Sequence, residues 1–236
     1  MIGSKAIARV GDYWRRHGLR STILRAGLAG KRAFFARGMV VFYCDLVEAT
    51  LRHVSIPNGW IIEQVRSLGE LREDRLQAIT SFWSPKLANQ NVRQRFDKGA
   101  TLWLAECDGQ LAGFGWTLQG GTIEPYYFPL TQQDVHLFDF HVFPQFRGQG
   151  INPLLVAHLL VSLAKVGARR AFIEAAVWNH AQLSSLEKTQ FRRLGVVKSC
   201  TFFRRRFVFW REHSKAFAVQ RRAKPGSDSQ TPARNL

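Results

Sequence analysis

Six consecutive residues, Gln145-Phe146-Arg147-Gly148-Gln149-Gly150, have the types and spacing needed to hold a phosphate. Glycine lets a backbone come close to an anion. The apolar pattern that follows, Ile151 to Val166, reads as a helix, and a helix start offers unpaired N–H groups and a positive dipole end. Just upstream, the strand-like run Val135 to Val142 carries His136, Asp139 and His141 among apolar residues. A histidine, with an unperturbed pKa of about 6.5, is suited to moving a proton near neutral pH. A carboxylate in an apolar strand needs a partner or a role, which applies to Asp139 and again to Glu174 in the run Ala171 to Val177. Strict alternation puts His136 and Asp139 on opposite faces, and His136 on the face of Phe138 and Phe140. His136 reads equally as a hydrogen-bonded sheet histidine, Asp139 as a structural anchor or a substrate contact, and Glu174 as a paired structural carboxylate or a substrate contact.

The elements that must position these residues follow from periodicity and punctuation. Trp60 to Val65 reads as a strand, Leu68 to Phe82 as a helix, and Pro85 starts a second helix that ends near Gly99. Thr101 to Glu106 and Gln110 to Leu118 are strands joined at Asp108-Gly109, a strong hairpin signal. A loop with Pro125, Tyr126, Tyr127, Phe128 and Pro129 precedes the His136 strand. After the glycine loop come a helix to about Lys165, a buried strand Ala171 to Val177, a helix Ala181 to Leu194, and one or two strands from Val196 to Trp210. Met39 to Leu46 is a further strand, and residues 1–37 read as two basic amphipathic helices. Pro57-Asn58-Gly59 marks a boundary. It divides a basic N-terminal extension, 1–55, from a central domain, 56–212; residues 213–236 form a basic tail of Pro, Gly, Ser and Gln, expected to be disordered.

The net charge of +17 sits in the ends: residues 1–55 carry 10 Lys/Arg against 3 Asp/Glu, residues 192–236 carry 12 against 2, and residues 56–191 carry 12 of each. The neutral middle resembles an enzyme core, while the ends suit an anionic partner, RNA or an anionic membrane surface. No apolar run reaches the roughly 20 residues of a membrane span, and Lys5, Arg9 and Asp12 interrupt any secretory signal. A cytoplasmic protein, at most peripheral to the inner membrane surface, is expected. Cys44, Cys107 and Cys200 form no Cys-x-x-Cys pair, and the histidines lack metal-ligand spacing, so no metal is expected.

The pattern Gln/Arg-x-x-Gly-x-Gly/Ala, filled by Gln145, Gly148 and Gly150, resembles the acyl-CoA-binding loop of the GNAT superfamily of N-acyltransferases. The order of elements over residues 57–210 is similar to a GNAT domain. So is a downstream stretch, in which Asn179 and then Leu186-Glu187-Lys188-Thr189-Gln190-Phe191 match an Asn followed by Tyr-Glu-Lys-x-Gly-Phe. Leu186 and Gln190 depart from it; the first removes the Tyr that often protonates the leaving thiolate.

The resemblance, closest to free-standing bacterial members with a basic N-terminal extension, implies an α/β (α+β) GNAT fold. Its mixed sheet would have six to seven strands, flanked by four helices. It implies transfer of acetyl from acetyl-CoA to a small amine or amino-sugar acceptor by direct attack. The donor would be held by the amides of Arg147, Gly148, Gln149, Gly150, Ile151 and Asn152, with Gln145, Phe146 and Asn179 beside them. Phe140 and Val142 would offer free backbone groups where the fourth GNAT strand leaves the fifth. His136 lies near the position of a carboxylate base in some members, with Asp139 as the other candidate on that strand. Glu174 would bind the acceptor amine, and Tyr126 and Tyr127 would line its pocket or supply the missing acid. The run Phe202 to Trp210 reads as a strand with Arg on its wet side, as a neutraliser of the CoA 3′-phosphate, or as a nucleic-acid surface. The alternative reading is a catalytically weak module of the same fold that binds RNA or an anionic membrane through its basic ends.

Overall fold

In a computed structural model of the chain, residues 38–47, 55–81, 85–202 and 205–213 are described. The amphipathic helices expected in residues 1–37 and the tail expected after residue 213 lie outside them. The described elements are β1 (Met39–Asp45), β2 (Trp60–Val65), α1 (Glu73–Ser81), α2 (Pro85–Asp97), β3 (Thr101–Cys107), β4 (Gln110–Gln119) and β5 (Asp134–Val142). A 3-10 turn (Pro144–Phe146) leads to α3 (Ile151–Lys165), β6 (Arg170–Ala176), α4 (His180–Glu187), β7 (Arg192–Phe202) and β8 (Arg205–His213). This is a mixed α+β fold of the kind the resemblance implies, with eight strands among the described residues where six to seven were expected.

The strands form one sheet in the order β2-β3-β4-β5-β6-β1-β7-β8. Every pair is antiparallel except β5–β6, which α3 connects as a crossover. β1 lies between β6 and β7, so the turn at Pro57 stands between two strands of a single sheet. Asp108 (φ +48°) and Gly109 (φ +75°) both adopt the left-handed conformation that a tight β3–β4 hairpin requires. Two helices are shorter than their apolar patterns suggest. α1 begins at Glu73, because Glu70 accepts from the Arg66 N–H (2.8 Å) and the Ser67 hydroxyl (3.1 Å) and ties Arg66 to Glu70 into a turn. α4 ends at Glu187, and Arg192 to Phe202 pair as a strand instead.

The sheet separates two layers. One face packs on α3 and α4 through Val135, Leu137, Ile173, Leu155, Leu159 and Leu186. The other carries α1 and α2 over Leu102, Phe114 and Trp116, and the aromatic loop Tyr126 to Leu130 over Val41, Phe172 and Val197.

β5 breaks the expected alternation. Phe114 pairs with His141 and Trp116 with Phe138, so Asp139 and Phe140 together face Gly115 alone. Asp139 takes the extra place with φ +50°. The side chains beyond it change sides: Phe140 and Val142 join the α3 layer with Val135 and Leu137, while Phe138 stays in the α2 layer. His136 and Phe140 are therefore on opposite faces, and Asp139 shares the side of His136, reversing both assignments that strict alternation gave. β5 and β6 pair only from Asp134↔Arg170 to Leu137↔Ile173; beyond that they part. Parting leaves backbone groups of β5 without a strand partner on the β6 side at Phe140 and Val142, as the family resemblance implied.

Gly115 makes room for the bulge. A Cβ there would lie 2.5–2.8 Å from three atoms of the Phe140 ring. Gly115→Ala should therefore cost about 1–3 kcal/mol, as overpacking does in a filled core. Urea unfolding measures it, and a loss below about 0.5 kcal/mol, the range of an inert surface change, would count against this packing.

Candidate active site

Two clefts open where β5 and β6 part, one on each face of the sheet. The first, about 540 Å³, lies between the β5 end, the glycine loop and α4. Gly148 (φ +79°) and Gly150 (φ +76°) hold left-handed conformations, and Gly150 caps α3 with no side-chain bond to the helix. A Cβ at either glycine would meet nothing within 4 Å. The loop thus needs glycine for its backbone angles, and the space beside it is open. The first α3 amides, Ile151 and Asn152, remain available because Pro153 brings no N–H and the first intrahelical bond starts at Leu154.

Most of the expected donor-binding residues meet here. Phe140, Val142, Phe146, Arg147, Gly148 and Gly150 line one wall, with Ile151, Asn152 and Asn179 completing the site. Gln145 and Gln149 are exposed and outside the lining; the Gln149 side chain donates to the Gln145 carbonyl at 3.3 Å. Arg147 folds back on the Val142 carbonyl (3.3 Å), placing its charge over the mouth. Asn152 donates to the Ser185 hydroxyl (2.9 Å), and Asn179 caps α4 by accepting from the Gln182 N–H (3.2 Å). His141 borders this cleft, and burial, then the charge of Arg147, hold its pKa below the ordinary value. Leu186, at the family's Tyr position, is fully buried and turned into the α3 layer.

The second cleft, about 350 Å³, lies on the opposite face, under the aromatic loop. Its floor holds His136 and Glu174, with 2.9 Å between His136 Nε2 and Glu174 Oε2. His136 is only 5% exposed, and its Nδ1 is buried without a hydrogen-bond partner. Glu174 is the first β6 residue past the last β5 pair. The Tyr126 hydroxyl is buried beside Glu174 with no partner of good geometry. Burial, then the Glu174 charge, raises its pKa well above the ordinary range. The same two causes push Tyr127 up to about 12 against a smaller opposing effect of Arg206. Asp139 also lines this cleft, and its carboxylate is bound by Arg95 of α2.

Arg95 and Arg206 are site residues that sequence reasoning missed. Arg206 reaches from β8 to donate to the carbonyls of Pro125 and Tyr126 (2.6 Å for the latter), with its guanidinium 5.4 Å from the Tyr127 ring centroid. From the other side Lys98 donates to the Ile123 carbonyl at 2.8 Å. Of the readings of the Phe202 to Trp210 run, the strand fits the observed fold, but Arg206 clasps a loop instead of facing water. Arg206 lies in a run of cations that marked the strand without marking this contact. Among the described residues no cluster of His, Cys, Asp or Glu could hold a metal, and no helix is long and apolar enough to cross a membrane.

The model of the acetyltransferase (GNAT) family matches residues 68–191, from before α1 to the end of the Leu186 motif. The chain belongs to the GNAT family. Among solved structures, it is similar to a tandem GNAT protein from the clavulanic acid biosynthesis pathway, with TM-score 0.52 and 15% identity over 74% of this chain and 53% of that one. It is also similar to a GNAT-family putative acetyltransferase from Novosphingobium aromaticivorans, with TM-score 0.47 and 15% identity over 68% and 61%. A GNAT-family acetyltransferase from Colwellia psychrerythraea gives 0.48 and 14% over 66% and 52%. These likenesses concern the fold, and the chain spans between half and two thirds of the length of those three structures. No curated protein sequence matches this GNAT chain.

Restoring the family residue should bring no gain. Leu186→Tyr would force a phenol into a filled layer and cost about 1–3 kcal/mol, leaving acyl transfer no faster. Thermal melting and a thiol-release assay check this. A faster variant of unchanged stability would mean that position 186 reaches the reacting atoms.

Proposed function

We propose that this GNAT protein is an acyl-CoA-dependent N-acyltransferase, with acetyl-CoA as donor and a small primary amine, an amino sugar among the candidates, as acceptor. The observation that carries this reading is the pair of clefts meeting at one parting of strands. One holds an anion cradle, and the other a histidine backed by a carboxylate.

GNAT-fold proteins use acyl-CoA, and the residues of the first cleft suit it. The amides from Gly148 to Asn152 suit a diphosphate, each charge-assisted bond contributing about 1.5–3 kcal/mol, and Arg147 adds a fixed positive charge. When bound, acyl-CoA supplies an acyl group activated as a thioester. The β5 backbone at Phe140 and Val142, released from β6, offers donors for its carbonyl.

In the second cleft, Glu174 at Nε2 fixes the His136 ring and leaves Nδ1 to receive a proton from the acceptor ammonium, directly or through one water. A neutral amine is then available for attack, with no covalent enzyme intermediate. His136 suits the base role better than Asp139, whose carboxylate is taken by Arg95. With Leu186 buried, the phenols of Tyr126 and Tyr127 remain to return a proton to the departing sulfur. Phenols are protonated near neutral pH in any case, and burial with the Glu174 charge shifts these two further in that direction. The acceptor amine itself lies against Glu174 and the phenols.

Calorimetric titration with acetyl-CoA is the first test. Micromolar affinity is expected. The Gly148→Asp/Gly150→Asp double variant should lose it, since two carboxylates would occupy the open space of the cradle. A wild-type protein that fails to bind acetyl-CoA would end the proposal. The base is tested separately: in His136→Gln, kcat/KM for any amine found active in a screen should fall about 10²–10⁴-fold. Acetyl-CoA affinity should stay unchanged.

A further inference from the structure

We propose that Arg95, a residue of the acceptor cleft, is a positioning residue that holds the acyl-donor cleft in shape from the opposite face of the sheet, through Asp139. The inference rests on the reading of the first cleft as an acyl-CoA site. The link runs through one strained residue. Asp139 sits at φ +50° in mid-strand, a conformation L residues adopt at a cost. Its displacement carries Phe140 and Val142 to the donor side. Something must hold it there, and the described contacts supply one agent. Arg95, on the α2 face with Val92 and Phe96, is 9% exposed and binds the Asp139 carboxylate. Its guanidinium is itself fixed, 5.1 Å from the Trp116 ring centroid and 5.4 Å from that of Phe138, the residue just before the bulge.

Trp116 and Phe138 are also the last β4–β5 pair before the bulge. Arg95 therefore touches both strands at the place where the register slips, and the bulged residue itself. Were the bulge to relax into regular pairing, Phe140 would return to the face of His136 and the donor cleft would lose a wall. Gly115, against which the Phe140 ring lies, permits the bulged form but does not select it.

The test uses the full chain with Arg95→Met, which keeps the apolar stem and deletes the grip, and with Arg95→Met/Asp139→Gly. Glycine adopts positive φ without strain, so it should hold the bulge unaided. Arg95→Met should speed hydrogen exchange of the Phe140 amide and weaken acetyl-CoA binding by about tenfold or more; the double variant should restore both toward wild type. An ordinary loss of packing would not be rescued by a second change that removes a further side chain. Arg95→Met without effect on exchange, or a double variant no better than the single, would overturn the inference. Should Arg95→Met fail to fold, Arg95→Lys with and without Asp139→Gly carries the same comparison. Exchange at Phe140 reports on the bulge without ligand. If wild type binds no acetyl-CoA while Arg95→Met still loosens Phe140, the reading of the donor site fails and the clamp stands.

Discussion

Asp139 holds a left-handed backbone inside a β-strand, and the clefts on both faces of the sheet depend on that one residue. A strand with no extra residue would send 136, 138 and 140 to one side and keep its hydrogen-bonding edge against β6. The bulge sends Phe140 and Val142 to the other side, and the pairing with β6 ends at Leu137. A left-handed residue other than glycine costs on the order of 1–3 kcal/mol. Here it is offset locally by a buried guanidinium on the Asp139 side and by the missing Cβ of Gly115 on the Phe140 side. Neither contact belongs to the glycine loop that makes the family recognisable.

The charges show how the two strands are held together at one end and apart at the other. At the foot of the parallel pair, Asp134 (1% exposed) meets Arg170 through bonds of 2.6 and 2.8 Å, and the two residues are also register partners. A buried carboxylate with two charge-assisted bonds is a strong local constraint, because leaving either partner alone would expose the other to the full desolvation cost. Four residue pairs later the strands separate. His136 and Glu174 bracket that point, one within the paired segment and one just beyond it. The dyad thus spans the apex of a wedge pinned at its base, which sets the His136 ring beside the stretch of β5 that β6 no longer pairs.

Much of this was legible in the sequence, and the exceptions share a cause. The glycine loop, the Asp108-Gly109 hairpin and the α3 pattern are local signals, readable because neighbours in the chain decide them. The bulge is not readable: Val135 to Val142 alternates as a regular strand would, and the residues packed at the slip, Gly115 and Arg95, are distant in sequence. The place of β1 in the sheet was hidden for the same reason, since its composition says strand but not which edge it will join. Arg95 looked like one more polar residue on a helix surface, although its spacing from Val92 and Phe96 marks the buried face. The late start of α1 and the early end of α4 reflect competition that periodicity does not see, a side-chain-capped turn in the first case and strand pairing in the second.

The departure at Leu186 looks different once the second cleft is considered. In a site with a single working face, loss of a phenol at that position would remove the proton donor. Here the phenols of Tyr126 and Tyr127 stand in the cleft on the opposite face, where burial and the Glu174 charge raise their pKa values. Their loop is not loosely placed: Lys98, just past the end of α2, and Arg206 from β8 grip its carbonyls from two sides, and Phe128 rests edge-on against Phe172 at 5.2 Å. β8 lies beyond the stretch that the family model matches. One of the groups that hold the phenols in place, Arg206, therefore comes from chain outside the stretch the family model matches.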